Sequence, residues 1–193
     1  MSCRPGTLAR LLLALTLLAP LPAAADPTRA EAAPFELPSA SVRLVEEVYR
    51  LDAVARLRLT PAVENALNNG VDLTITWEVS IQRSRAWWFD ADVAWIVQRY
   101  RLSLHELSRQ YVVTNLNTGQ QRSYTRVHTA LDQIGTLVGF PLVDRVLVAD
   151  GGDLTGQVRV RLQHDELPLP LRAVALFSDA WDLASEWYQW RFE

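Results

Sequence analysis

Val71-Asp72-Leu73-Thr74-Ile75-Thr76-Trp77-Glu78-Val79-Ser80-Ile81-Gln82-Arg83 alternates between apolar and polar residues along most of its length. Leu73, Ile75, Trp77, Val79 and Ile81 fall on one parity; Thr74, Thr76, Glu78, Ser80 and Gln82 fall on the other. A period of two in residues of this kind specifies a strand with one face in a core. The regular part, Leu73 to Ile81, reads as core and speaks of fold rather than function. Immediately beyond it the pattern fails. Arg83, Arg85 and Trp87 take the inward parity, in a connection that continues through Trp88 and Phe89 to Asp90. Such failures are expected at functional or strained positions. Arg83, Arg85, Trp87, Trp88 and Phe89 are therefore the candidate binding residues, an aromatic platform beside cations that suits a sugar ring, a peptide or a membrane interface. The competing structural role is a set of rings folded back over the open end of the sheet with an arginine stacked on them. The usual burial of large aromatics favours that second role.

Upstream of this strand, Ser41 to Val48 reads as a first strand. Leu51, Ala53, Ala55, Leu57 and Leu59 then alternate with polar residues as a second. Thr60-Pro61 opens a short helix, threonine as N-cap and proline at the first helical position. Asn68-Asn69-Gly70 ends it, the glycine suited to a left-handed cap. Downstream, Ala94 to His105 resumes strand character with Ile96, Tyr100, Leu102 and Leu104 on one face. Trp95 and Val97 sit on the other parity, which calls for a second covered face or a bulge. Arg109–Thr114 and Gln121–Val127 flank Asn115-Leu116-Asn117-Thr118-Gly119 as a hairpin.

Thr129, with Asp132 in capping-box position, predicts a second helix ending at Gly139. Arg145 to Val148 reads as a short strand. Gln157 to Gln163 is a strand in which Val158, Val160 and Leu162 alternate with polar residues. Leu167-Pro168-Leu169-Pro170-Leu171 reads as an extended surface crossing, since both prolines lack a backbone donor. Tyr188, Trp190 and Phe192 alternate in a terminal strand. About eight mostly antiparallel strands and two short helices predict a mainly β fold, an antiparallel two-sheet sandwich-like domain. The alternative is an α+β layer with both helices on one face of a single sheet.

The amino terminus carries the pattern of a secretory signal. Arg4 and Arg10 precede an apolar run from Leu11 to Leu18, and Ala23-Ala24-Ala25 provides a small-residue cleavage site. The apolar run is shorter than the ~20 residues a membrane-spanning helix needs. The expected organisation is a signal peptide over residues 1–25, a flexible leader over 26–38 and a single β-rich domain over 39–193, located in the periplasm. Of the 193 residues, Cys3 is the one cysteine, so the mature domain lacks disulfides, thiolate metal sites and cysteine nucleophiles. Every basic side chain other than histidine is arginine, which excludes lysine-based mechanisms such as a Schiff base or a Walker-type loop. A net charge of −3 gives no reason to expect nucleic acid.

Motifs for chemistry are sparse. His105, His128 and His164 fall at no recognised ligand spacing, and no metal site or cofactor is expected. Asp150-Gly151-Gly152-Asp153, with Asp144 nearby, has cation-binding residue types, although Asp and Gly are also the standard residues of a tight turn. There is no Gly-x-Ser-x-Gly elbow and no His-Glu-x-x-His. The adjacent carboxylates Glu46-Glu47, Asp90 with Asp92, and Asp165-Glu166 do not by their spacing give the opposed geometry of glycoside cleavage.

Several features in order resemble a known family. They are Ala66-Leu67-Asn68-Asn69-Gly70-Val71, Arg85-Ala86-Trp87-Trp88, Leu102-Ser103-Leu104-His105 and Arg109-Gln110-Tyr111. Ala130-Leu131, Leu167-Pro168-Leu169-Pro170-Leu171 and Trp181, Trp187 and Trp190 complete the set. Together they resemble an uncharacterised family of exported proteobacterial proteins, domain of unknown function 4390, over the chain from Ser39 onward. The resemblance attaches no activity, ligand or catalytic residue. It implies an accessory role beside a membrane sensor kinase. The expected function is that of a non-enzymatic binding or accessory domain for an envelope protein or a membrane sensor ectodomain. A carbohydrate- or lipid-binding module using the aromatic connection is the second expectation, and a hydrolase with an unrecognised site the third.

Overall fold

Two antiparallel sheets enclose the core. The structure, a computed structural model, describes residues 33–83, 91–149 and 154–192. In chain order the elements are β1 (Phe35–Val45), β2 (Val48–Leu57), α1 (Pro61–Asn68), β3 (Leu73–Arg83), β4 (Ala91–His105), β5 (Gln110–Asn115) and β6 (Gln121–Tyr124). They continue with α2 (Val127–Ile134), β7 (Thr136–Asp144), α3 (Arg145–Ala149), β8 (Leu154–Gln163), α4 (Leu169–Leu176), a 3₁₀ turn at Asp179–Trp181, and β9 (Tyr188–Arg191). The small sheet runs β1-β2-β7 and the large one β6-β5-β4-β3-β8-β9. The fold is mainly β and sandwich-like, as the alternation predicts, with two short helices beyond the two expected.

β3 occupies the middle of the large sheet, with β4 on one side and β8 on the other. Its inner residues Leu73, Ile75, Trp77, Val79 and Ile81 join Val158, Val160 and Leu162 of β8 and Leu102 of β4 in one core. The small sheet contributes Tyr49, Leu51, Ala53 and Ala55, and α2 contributes Ala130, Leu131 and Ile134. The Trp77 indole N–H donates to the carbonyl of Ile134 at 2.9 Å, so the largest core side chain also anchors the end of α2. β9 adds to β8 at one edge, where a side chain on Gly156 would collide with the Trp190 indole. Tyr49 and Phe192 meet edge-on at 5.0 Å and close the core at that end.

α1 forms as its caps dictate. Thr60 Oγ1 accepts from the backbone N–H of Val63, Pro61 stands in the first turn, and Gly70 takes φ +83 beyond the end. The hairpin of β5 and β6, the alternation of β8 and the terminal aromatic strand also match their patterns.

Four expectations are corrected. β1 begins at Phe35, which is buried, so residues 35–38 belong to the domain rather than to a leader. The second helix starts at Val127, without a side-chain cap, and ends at Gly135. The next residues form not more helix but β7, an edge strand. It tolerates Pro141 because one of its sides has no ladder partner, and Asp52 receives the Gly139 N–H at 2.8 Å. Arg145–Ala149 is helical, not extended. Finally, α4 contains Leu169 and Pro170 in its first turn, where a missing N–H costs nothing because those donors have no intrahelical acceptor.

Candidate functional site

The sequence directs attention first to Arg83 and the connection after it. Arg83 lies at the end of β3, paired with Ala91 and Leu154, and its guanidinium donates to the carbonyl of Leu147 in α3 at 2.9 Å. That contact ties α3 to the sheet end. A register shift in the pairing with β4, between Ile81 and Gln82, marks the place where the regular ladder stops. Arg85, Trp87, Trp88 and Phe89 lie outside the described residues, as do Asp150-Gly151-Gly152-Asp153.

The outer face of the large sheet gathers more chemistry. Register places Thr74, Thr76, Glu78 and Ser80 of β3 opposite Arg101, Arg99, Val97 and Trp95 of β4. On the other side the same four residues meet Gln163, Arg161, Arg159 and Gln157 of β8. Two Arg-x-Arg segments, Arg99-Tyr100-Arg101 and Arg159-Val160-Arg161, thereby flank one row of hydroxyls and a carboxylate. The long arginine stems cover the short side chains between them. Thr74, Thr76 and Ser80 are each only 2% exposed and Glu78 8%. The polar parity of β3 is therefore a buried floor, not the solvated face that its alternation predicts.

Electrostatics on this floor are specific. Arg159 Nε donates to Glu78 Oε2 at 2.6 Å, with Arg161 4.0 Å from the other oxygen. The same Arg159 guanidinium stacks 4.4 Å from the Trp187 ring centroid, and Trp187 meets Trp95 edge-on at 6.3 Å. At the opposite end, Thr74 Oγ1 donates to Glu166 Oε2 at 2.5 Å. Glu166 also faces Arg99 at 3.5 Å and Arg101 at 4.0 Å, and Arg101 lies 4.0 Å from Asp72. Four guanidiniums meet Glu78, Glu166 and Asp72, while Asp165 accepts from Gln163 at 3.0 Å and Asp92 from Gln82 at 3.1 Å, so the face is rich in arginine and mixed in charge. Between the Glu78 and Glu166 clusters is a pocket of about 360 Å³ lined by Thr76, Glu78, Val97, Arg99 and Gln163. The Thr76 hydroxyl has no hydrogen-bond partner among the described residues.

The histidines are held by local contacts. His105 Nδ1 meets the Ser108 hydroxyl at 3.0 Å, His164 Nε2 meets the carbonyl of Trp181 at 2.7 Å, and His128 is exposed in the first turn of α2. Among the described residues, no three His, Cys, Asp or Glu side chains converge to hold a metal ion. A second pocket of about 420 Å³ lies beside Asn68, Leu104, Arg109, Tyr111 and Thr125, where the Tyr111 hydroxyl donates to Asn68 at 3.1 Å. Burial pushes the Tyr100 hydroxyl above its ordinary value of 10.0. No helix among the described residues is long and apolar enough to cross a membrane.

Sequence reasoning missed the outer face because its members lie on three strands and the connections that hold Glu166 and Trp187, and meet only in the folded sheet. The legible signal was parity: Arg99 and Arg101, like Arg159 and Arg161, alternate with core residues and must share the face of Thr74, Thr76 and Glu78. A family described as a domain of unknown function, DUF4390, matches residues 32–191. The chain belongs to this family. The DUF4390 match spans both sheets and every residue of the outer face. A search of curated proteins found no match, nor did one of solved structures.

Proposed function

We propose that this DUF4390 protein is an exported, periplasmic, non-enzymatic binding domain with an accessory role toward an envelope protein. Its docking surface is the outer face of the large sheet. One observation carries the reading: four arginines and an exposed tryptophan are held over a buried polar floor. Arginine and tryptophan are enriched where proteins bind proteins, and guanidiniums held in fixed positions select carboxylates of a counterpart. Trp95 is 56% exposed and stands at the border of this surface, where it can serve as an aromatic anchor. Export is supported by the signal pattern over residues 1–25.

The reading is tested by placing a photo-crosslinking residue at Val97 or Trp95 in the native host, with Val54 on the small sheet as control. A single acidic envelope protein should crosslink at the first two positions and not at the third. Equal labelling at all three, or none at the large sheet, overturns it. Residue-level sequencing of the mature protein should find Asp26 at its amino terminus, and a mature chain still beginning at Met1 refutes the export step.

A further inference from the structure

We infer that the pocket over Thr76 is a carboxylate subsite, which receives an aspartate or glutamate side chain of the docked protein. The inference rests on the proposed docking face and names the chemistry at its centre. The protein itself supplies the template one repeat away. Thr74 and Thr76 stand two residues apart on the same face of β3, equally buried. Each has an arginine of β4 as its cross-strand neighbour, Arg101 for Thr74 and Arg99 for Thr76. Over Thr74 this arrangement holds a carboxylate: Glu166 accepts from the threonine hydroxyl while facing Arg99 and Arg101. Thr76 repeats the arrangement, and on its β8 side the neighbour is Arg161, a second cation, in place of Gln163.

A buried hydroxyl without a partner is costly, and a charged acceptor is the group that gains most from it. Glu78 borders the pocket, with Glu166 and Asp165 beside it; Glu166 is held by Thr74, Arg99 and Arg101, and Asp165 accepts from Gln163 at 3.0 Å. Glu78 already accepts from Arg159 at 2.6 Å and faces Arg161 at 4.0 Å, so its charge is compensated. Two residues of strand also separate Glu78 from Thr76, roughly 7 Å by strand rise. Arg99 by contrast has one carboxylate neighbour at 3.5 Å and a half-exposed side chain, which leaves it free to turn to a second acid. A phosphate is larger and more highly charged, and the template it would have to imitate is a planar carboxylate.

The experiment titrates the full mature chain with short peptides of alternating glutamate and glycine, followed by tryptophan fluorescence. Glutamine-for-glutamate peptides and inorganic phosphate serve as comparison probes. The glutamate peptide should bind, and the glutamine peptide should bind at least tenfold more weakly. Thr76→Val should weaken the glutamate peptide about tenfold, the effect of one hydrogen bond to a charged group. Thr76→Ser, which keeps the hydroxyl, should restore it. Arg99→Gln should weaken it as much or more.

Equal binding by wild type and Thr76→Val overturns the subsite, as does phosphate binding tighter than the peptide. The melting temperature of Thr76→Val should not fall, so lost binding is not lost folding. The two readings fail separately. Crosslinks at Val97 that persist in Thr76→Val, together with unchanged peptide affinity, remove the carboxylate subsite and leave the docking face. Absent crosslinks remove the docking face whatever the peptide does.

Discussion

The two faces of β3 are equally dry and chemically opposite. On one face Leu73, Ile75, Trp77, Val79 and Ile81 pack against the small sheet and α2; on the other Thr74, Thr76, Glu78 and Ser80 lie under arginines and Trp95 of their own sheet and Trp187 just before β9. The first face is covered by a second layer of structure; the second, among the described residues, by side chains from neighbouring strands and from the connections that carry Glu166 and Trp187. Side-chain cover can be moved aside by a partner, whereas a packed layer cannot without unfolding. Burial alone therefore does not separate core from site; what covers the residue does.

Substitutions on the two faces should sort in the same way. Trp77→Ala on the inner face should have the largest effect, a loss of about 3–5 kcal/mol in chemical denaturation, because it opens a cavity and removes the donor to Ile134. Glu78→Ala on the outer face should cost about 2 kcal/mol. It strands Arg159 and Arg161, and their partial exposure moderates the penalty of a fully buried charge. If Glu78→Ala costs as much as Trp77→Ala, the outer face is core in energetic terms and the contrast fails.

Away from both faces, Glu46 and Glu47 form the β1–β2 turn with φ +49 and +64, a conformation that suits Asn-Gly. Replacing the pair by Asn-Gly should raise stability by about 1–2 kcal/mol, read as a higher melting temperature without change in peptide binding. Thr76→Val should change stability least, within about 0.5 kcal/mol, while still weakening the glutamate peptide.

An alkaline titration gives the finest test of the inner side. Tyr100 sits in β4 with its folded-state value raised by burial. Its contribution is intact below about pH 10, the ordinary tyrosine value, and is lost as pH rises through the higher folded-state value. Tyr100→Phe should flatten that alkaline loss in a pH series of denaturation curves; an unchanged slope shows that other groups carry it.

Much of the fold was legible because it is written locally. Thr60-Pro61, the Asn115–Gly119 turn and the alternation of β3 and β8 each specify their own geometry within a few residues. The errors came where tertiary position overrules local rules. Pro141 is acceptable because β7 is an edge, Pro170 because it falls in a first turn, and the start of α2 is set by packing of Ala130 and Ile134 rather than by a cap. The site was less legible still. No single stretch contains it, and its central residues looked like the solvated side of an ordinary strand. The parity break at Arg83 pointed to the end of the sheet, where that arginine holds the Leu147 carbonyl.

The pairing of β2 with β7 sets an order of events as the chain folds. Leu51 finds Phe140 and Tyr49 finds Val143, partners some ninety residues farther along the sequence. Nearly the whole large sheet except β8 and β9 is encoded between them. The small sheet therefore cannot close until β3 to β6 have been made, and closing so long a loop is slow. For a chain that must reach the far side of a membrane before it folds, as proposed here, that delay is an advantage. The contacts that close the small sheet wait for β7 to arrive, with β8 and β9 still to follow.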